Sequence, residues 1–293
     1  MSHQDGRHDA DALRSPPVQP GVPVRLSARV WRLTCGNAGL MTGPGTNSYF
    51  VGEGDHWALI DPGPAQSRHL FALQNGAPGP IRRILVTHTH PDHSPGAAAL
   101  KRLTGAELLG RVSAHPHGQD RTFLPDRELT DGERVELGPD TVLRVLHTPG
   151  HASNHLCYLL EAEGLLFTGD HIIQGSTVVI DPPDGDMQAY IASLQRLLQE
   201  DLTAIAPGHG ERIDEPHEAL CALIAHRLNR EAKVLEALSA QQPATLAQLC
   251  SVAYEDVPSA LWGLAERSLL AHLLKLETDG RALRQAERWR AAP

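Results

Sequence analysis

The stretch IRRILVTHTHPDHSPGAAALKRL, residues 81–103, constrains this chain more than any other. A short run rich in Ile, Leu and Val reads as a buried strand and leads straight into His88-x-His90-x-Asp92-His93. Ser94 is then expected as a helix N-cap, Pro95 at the first helical position, and GAAALKRL as the helix body. Four side chains of metal-ligating type thus occupy six positions of a tight loop braced on both sides. With 17 His in 293 residues, chance placement yields such a string in roughly four of a thousand chains. The string alone is rare without being decisive, so partners must be sought elsewhere.

Three further segments supply them. TPGHAS, FTGD and APGHG each follow a strand-like run and present His151, Asp170 and His209; LIDPG presents Asp61 in the same way. His88, His90 and His151 offer three nitrogens to one ion, while Asp92, His93 and His209 offer a second set, with Asp170 bridging. Imidazole and carboxylate donors suit two divalent ions, Zn2+ first and Fe or Mn as alternatives. Three protein donors with an open position mark a catalytic rather than a structural site. A water shared by two cations loses its proton near neutral pH, and Asp92 is the candidate catalytic residue that orients it or takes its proton.

The organisation is α/β (α+β). RLSARVWRLTC, NSYFVGEGDHWALIDPG, TVLRVLHT, HLCYLLEAEG, LLFTGD and LTAIAP read as strands, MQAYIASLQRLLQE as an amphipathic helix, and residues 110–140 as loop-rich. Residues 1–25 are polar and proline-rich and are expected to form a flexible leader, without the apolar run of a signal peptide. A catalytic domain over 26–216 and a smaller C-terminal one over 217–293 follow, the latter from three helices and a short β element, as in a winged helix. No stretch approaches 18 apolar residues, so no membrane span is expected. The four cysteines, scattered without a C-x-x-C, read as free thiols of a cytoplasmic protein. Net charge is −9, and because residues 217–293 carry nine basic and nine acidic side chains, the whole deficit lies before them. Bound cations would offset part of it, and a broad nucleic-acid surface is disfavoured.

His88-x-His90-x-Asp92-His93 with His151, Asp170 and His209 resembles the metallo-β-lactamase superfamily of dinuclear hydrolases over roughly residues 30–215. GPGTNSYFVG, GSTVVIDPPDGDMQAYIASLQRL, PGHG, HRLNRE and AERSLLAHLLKLETDG are similar to the β-lactamase-like protein 2 group, which carries a C-terminal winged helix. The resemblance implies a four-layer αβ/βα sandwich with metals at one edge. It also implies hydrolysis, since His90 stands where flavodiiron relatives usually have Glu. Members of the group resemble either single-strand-directed endoribonucleases or thioesterases releasing acyl groups from carriers. The acidic balance favours an ester, thioester or lactone of a small-molecule or acyl-carrier substrate, with RNA as the alternative partner. A mononuclear-iron persulfide dioxygenase and a DNA-reading regulator are further alternatives, and fold does not choose among substrates.

Asp61 is expected to hydrogen-bond a ligand histidine, and His155 either to support a ligand or only to pack. His171 reads as structural, with protonation of a leaving group as the alternative. Tyr49, Ser176 and Thr177 either face the pocket or pack beside it. His56, His69, His115, His117, His147, His217, His226 and His272 are assigned no catalytic part. In the winged helix, a nucleic-acid role would use SALWGLAERSLLAHLLKL with Arg281, Arg284, Arg288 and Arg290. That helix carries only Arg267 and Lys275 among many Leu and Ala, which favours packing.

Overall fold

The computed structural model describes residues 17–293 apart from Pro116 and Gln242, so the leader expected over 1–25 lies outside the described residues up to residue 16. Its final part is not a free leader. β1 (Pro23–Arg25) pairs antiparallel with β2 (Val30–Thr34), and Gly21 N–H donates to Thr34 O. A proline is tolerated there because β1 is an edge strand.

β3 (Asn47–Glu53) and β4 (His56–Ile60) form a hairpin, followed by α1 (Ser67–Gly76), β5 (Ile81–Leu85), α2 (Gly96–Thr104), β6 (Glu107–Gly110) and β7 (Arg127–Glu128). These strands make one sheet in sequence order from β1 to β7. β8 (Arg134–Gly138), β9 (Thr141–His147), β10 (Leu156–Leu160), β11 (Leu165–Gly169) and, after α3 (Met187–Leu197), β12 (Ala204–Pro207) make the second, in the order β12-β11-β10-β9-β8. The loop-rich reading of 110–140 missed β7 and β8. β7 has only two residues, and β8 alternates exposed and buried positions (Arg134, Val135, Glu136, Leu137) over too short a span to stand out.

Alternation along the strands builds the layers. In β3, Tyr49 and Val51 face the second sheet while Phe50 faces the first sheet's helices. In β10, Leu156, Tyr158 and Leu160 face the first sheet while Cys157 and Leu159 face α3. Both faces of both sheets are therefore covered, with α1 and α2 outside one and α3 outside the other. This explains near-continuous apolar runs such as LCYLL. The result is the four-layer αβ/βα sandwich.

α4 (Pro216–Ala240), α5 (Leu246–Ala253), a 3-10 turn (Ser259–Leu261), α6 (Trp262–Thr278) and the hairpin β13 (Ala282–Gln285)–β14 (Arg288–Ala291) complete the chain. Thr245 and Gln248 form a reciprocal capping box that starts α5. Early in α4, Leu220 joins the core beneath the second sheet, whereas Val234, Ala237 and Leu238 join the separate core of the C-terminal elements. One continuous helix thus belongs to both. α6 buries Leu269, Leu273 and Leu276 in that C-terminal core, pairs Arg267 with Asp181 (3.1 Å) and pairs Lys275 with Glu231 (3.0 Å) and Asp279 (2.7 Å). Its cations are thereby engaged within the molecule. No helix among the described residues is long and apolar enough to cross a membrane.

Candidate metal centre

β4, β5 and β6 run parallel, and in the second sheet β9, β11 and β12 share one direction because β10 runs against both β9 and β11. Their carboxyl ends meet along one edge of the sandwich. Asp61 follows β4, the segment 87–93 follows β5, His151 follows β9, Asp170 follows β11 and His209 follows β12. Gly169 allows the two sheets to approach here, since a Cβ on it would stand 2.4 Å from Thr87 Oγ1. The helix after the histidine loop starts as expected within a residue, but Ser94 does not cap it. Its Oγ donates instead to Asp120 Oδ2 at 2.6 Å, and Pro95 occupies the cap position.

The seven candidate ligands gather in two groups, His88–His90–His151 and Asp92–His93–Asp170–His209, each with donor atoms within 4.8 Å of one another. His90 Nδ1 lies 3.0 Å from both His88 Nε2 and His151 Nε2. In the second group, His93 Nε2 lies 3.4 Å from Asp92 Oδ2 and 3.3 Å from Asp170 Oδ1. His209 Nε2 lies 3.3 and 3.2 Å from the same two oxygens. Donors held about 2.0–2.1 Å from a tetrahedral ion are themselves about 3.3 Å apart, so the spacing fits. The other oxygen of Asp170 is 3.8 Å from His151 Nε2, which puts this carboxylate between the groups.

Outer hydrogen bonds fix which nitrogen each ring turns inward. His93 Nδ1 donates to Asp61 Oδ2 (2.9 Å), His151 Nδ1 to Val179 O (2.8 Å) and His209 Nδ1 to Gly45 O (3.1 Å). Thr87 Oγ1 donates to Asp61 Oδ2 (2.7 Å), so its oxygen accepts from His88 Nδ1 (3.0 Å). Every Nε2 of these four rings is thereby turned toward the centre. Asp61, expected behind one histidine, thus serves two. Its backbone has φ of +50°, a left-handed conformation uncommon outside glycine and held here by three hydrogen bonds to its carboxylate.

The electrostatics divide in the same way. Burial, aided by neighbouring histidines, pushes His88 well below its ordinary value and His90 to about 4, which keeps these two rings neutral. Burial acts downward on His93 and His209 too, but the carboxylates of Asp92 and Asp170 outweigh it, holding His93 well above 6.5 and lifting His209 to about 10. Burial works to raise Asp92 and Asp170, and His93 and His209 prevail and hold both below the ordinary carboxylate range. The buried atoms His93 Nε2, Asp170 Oδ1 and His209 Nε2 nonetheless have no hydrogen-bond partner. A divalent cation would satisfy all three orphaned atoms at once. Both groups are therefore able to hold metal ions.

A cavity of about 360 Å3 opens from His151, Asp170 and His209. Ser176 and Thr177 line it, as one reading of them held; Tyr49 does not, its hydroxyl donating to Pro207 O and its ring packing on Phe167. His171 is buried away from the cavity, held by burial at about 3 and therefore neutral, with its ring beside Tyr190; the leaving-group role has no geometric support. His155 packs 5.1 Å behind His88 and bonds Thr148, touching no candidate ligand through hydrogen bonds. Sequence reading missed Thr87 and Arg227. The first is one residue before the motif and carries no signal of its own. The second, which lines the cavity described above, sat in HRLNRE among other charged residues of α4 and carried no distinguishing sign.

Donors collected at the carboxyl edge of two stacked, helix-covered sheets define the metallo-β-lactamase class of fold. The metallo-β-lactamase superfamily pattern matches residues 41–209, and the β-lactamase-associated winged helix domain matches 245–289. The chain belongs to this superfamily, whose members are metal-dependent hydrolases. More narrowly, it is 32% identical over 286 residues to a β-lactamase-like protein 2 homolog of Drosophila melanogaster, covering 88% of this chain and 90% of that one. It is 33% identical over 228 residues to an atrochrysone carboxyl ACP thioesterase of Aspergillus fumigatus, covering 77% and 69%. A β-lactamase domain protein from Burkholderia ambifaria shares the fold with a TM-score of 0.80 over 94% of this chain and 95% of its own, at 21% identity.

Proposed function

We propose that this hydrolase uses two divalent cations, zinc first, on an ester, thioester or lactone of a small or carrier-bound acyl group. Residues 26–216 form the catalytic unit in this reading, and 217–293 a module that closes its cavity. The observation that carries it is the cavity, whose walls include Leu40, Met41, Val178, Val257, Leu261 and Leu264 and whose floor is His151, Asp170 and His209. An apolar cleft ending at metal ligands suits an acyl chain better than a polyanionic strand. The similarity to an ACP thioesterase supports the same substrate class.

His88, His90 and His151 would hold one cation, Asp92, His93 and His209 the other, with the Asp170 carboxylate between them. Bound there, the cations supply electrophilic polarisation and make a nucleophile available from water near neutral pH. Asp92 keeps 26% of its side chain exposed, the most of its group, and is ionised, so its carboxylate can direct the attacking water or take its proton. Water adds to the acyl carbon, the C–S or C–O bond breaks, and a proton leaves with the thiol or alcohol. The test is a panel of thioesters, lactones, phosphodiesters and single-stranded RNA with and without chelator. Acyl turnover lost on chelation and restored by zinc is expected; preferred cleavage of RNA would overturn the substrate class. One iron per chain with sulfur-dependent oxygen uptake would overturn hydrolysis itself.

A further inference from the structure

The cavity wall that includes the metal ligands continues onto α4 and α6, and there Arg227 lines it with only 3% of the residue exposed. Its Nη2 donates to Val178 O at 2.6 Å, and its guanidinium carbon lies 5.1 Å from the Tyr190 ring centroid. Its Nε has no hydrogen-bond partner. Among the described residues no carboxylate forms an ion pair with it. Glu231, one turn further along α4, is engaged by Lys275 at 3.0 Å and Arg281 at 3.4 Å. Arg230, which also lines the cavity and also lies over a tyrosine, Tyr254, differs in having a counter-ion: Asp256 accepts from both its terminal nitrogens at 2.8 and 3.1 Å.

A buried guanidinium without a counter-ion is costly, and planar Arg is the side chain best shaped to take a carboxylate. We propose that Arg227 is an anion-anchoring residue, so that the acyl group carries a carboxylate at the end remote from the scissile bond. Resting on the acyl-hydrolase reading, this narrows the substrate to an ω-carboxylated acyl thioester or ester. At about 360 Å3 the cavity is within the range of small-molecule sites and has room for an acyl group. Much of the wall is apolar, and an uncharged acyl group would fill the cleft and leave Arg227 unpaired.

The test uses the zinc-loaded full chain and N-acetylcysteamine thioesters of C4 to C10 chains, each with either a free ω-carboxylate or an ω-methyl end. The matching non-hydrolysable ω-carboxy and ω-methyl amides are titrated calorimetrically. At the best chain length the carboxylated thioester should be favoured at least about 30-fold in kcat/KM. Arg227→Gln should collapse that ratio to near one, and Arg227→Lys should retain part of it. Equal use of both thioesters by the native chain, or an equal loss on both in Arg227→Gln, overturns the anchor while leaving the acyl-hydrolase reading intact. If no thioester turns over yet the carboxylated amide binds in an Arg227-dependent way, the anchor stands and the hydrolase reading falls. If neither turnover nor binding occurs, both fall. Should Arg227→Gln not fold, the comparison between probes on the native chain decides.

Discussion

Asp61→Asn isolates the role of one buried carboxylate that ligates nothing. Asp61 Oδ1 accepts from Thr87 N at 2.7 Å, and Oδ2 accepts from Thr87 Oγ1 at 2.7 Å and His93 Nδ1 at 2.9 Å. The amide retains one oxygen, which the obligate donor Thr87 N–H claims. Its NH2 then faces Thr87 Oγ1, which can turn to accept, and His93 Nδ1–H, which cannot. His93 must either lose the bond or move its proton to Nε2, the atom directed at the second ligand group. A hydrogen bond to a charged acceptor contributes about 1.5–3 kcal/mol, and loss of such a partner lowers metal affinity by about 10–100-fold. We expect second-site zinc affinity to fall by about 30-fold. The site built on His88, His90 and His151 should change by less than about 3-fold, because Thr87 Oγ1 can still accept from His88. Competition against a chromophoric chelator resolves the two sites. Unchanged affinities, or equal losses at both, would refute the assignment of Asp61 to His93.

Asp92→Ala should abolish turnover while leaving the thermal unfolding transition within a few degrees, as Asp92 is the most exposed member of its group; retained activity removes it from the proton path. Gly45→Ala would place a Cβ 2.0 Å from Cys35 O at a φ of +132° and displace the carbonyl that accepts from His209, so at least about 2 kcal/mol of stability and much of the second site's affinity should be lost together. His69, 4% exposed, is lowered by burial to about 4. The unfolded chain therefore binds its proton first, so this contribution is complete above pH 6.5 and disappears as pH falls toward 4. About 3 kcal/mol of acid destabilisation should be missing in His69→Gln, measured as urea stability at pH 7.5 and 4.5 against the native chain.

The centre was legible because its ligands are local in sequence or sit where a strand meets glycine. His88 to His93 occupy one loop, and His151, Asp170 and His209 each end a readable run. What supports them was not legible. Val179 and Gly45 act through backbone carbonyls, which any residue possesses, and Thr87 is an ordinary strand-end threonine. Ser94 had the right composition and position for a cap, yet a tertiary partner, Asp120, took its hydroxyl. The last part of the leader was misread because edge strands need little hydrophobic pattern. The cavity was hidden for a different reason: its walls come from the loop at Leu40 and helices more than 180 residues later, and only folding brings them together.

Residues 178–180 join three parts of the molecule. Val178 O accepts from Arg227, Val179 O accepts from His151, and Ile180 N–H donates to Ser268 Oγ at 3.2 Å. Two consecutive peptide groups thereby splint the metal centre to α4 and α6. The C-terminal elements cannot be exchanged like a cassette, because any replacement must also re-seat a ligand histidine. Adaptation of this scaffold to new acyl groups is therefore expected to run through point changes on the inner faces of α4 and α6. Calorimetry should accordingly show one unfolding transition for the whole chain, and two separated transitions would mean that the splint is too weak to link them.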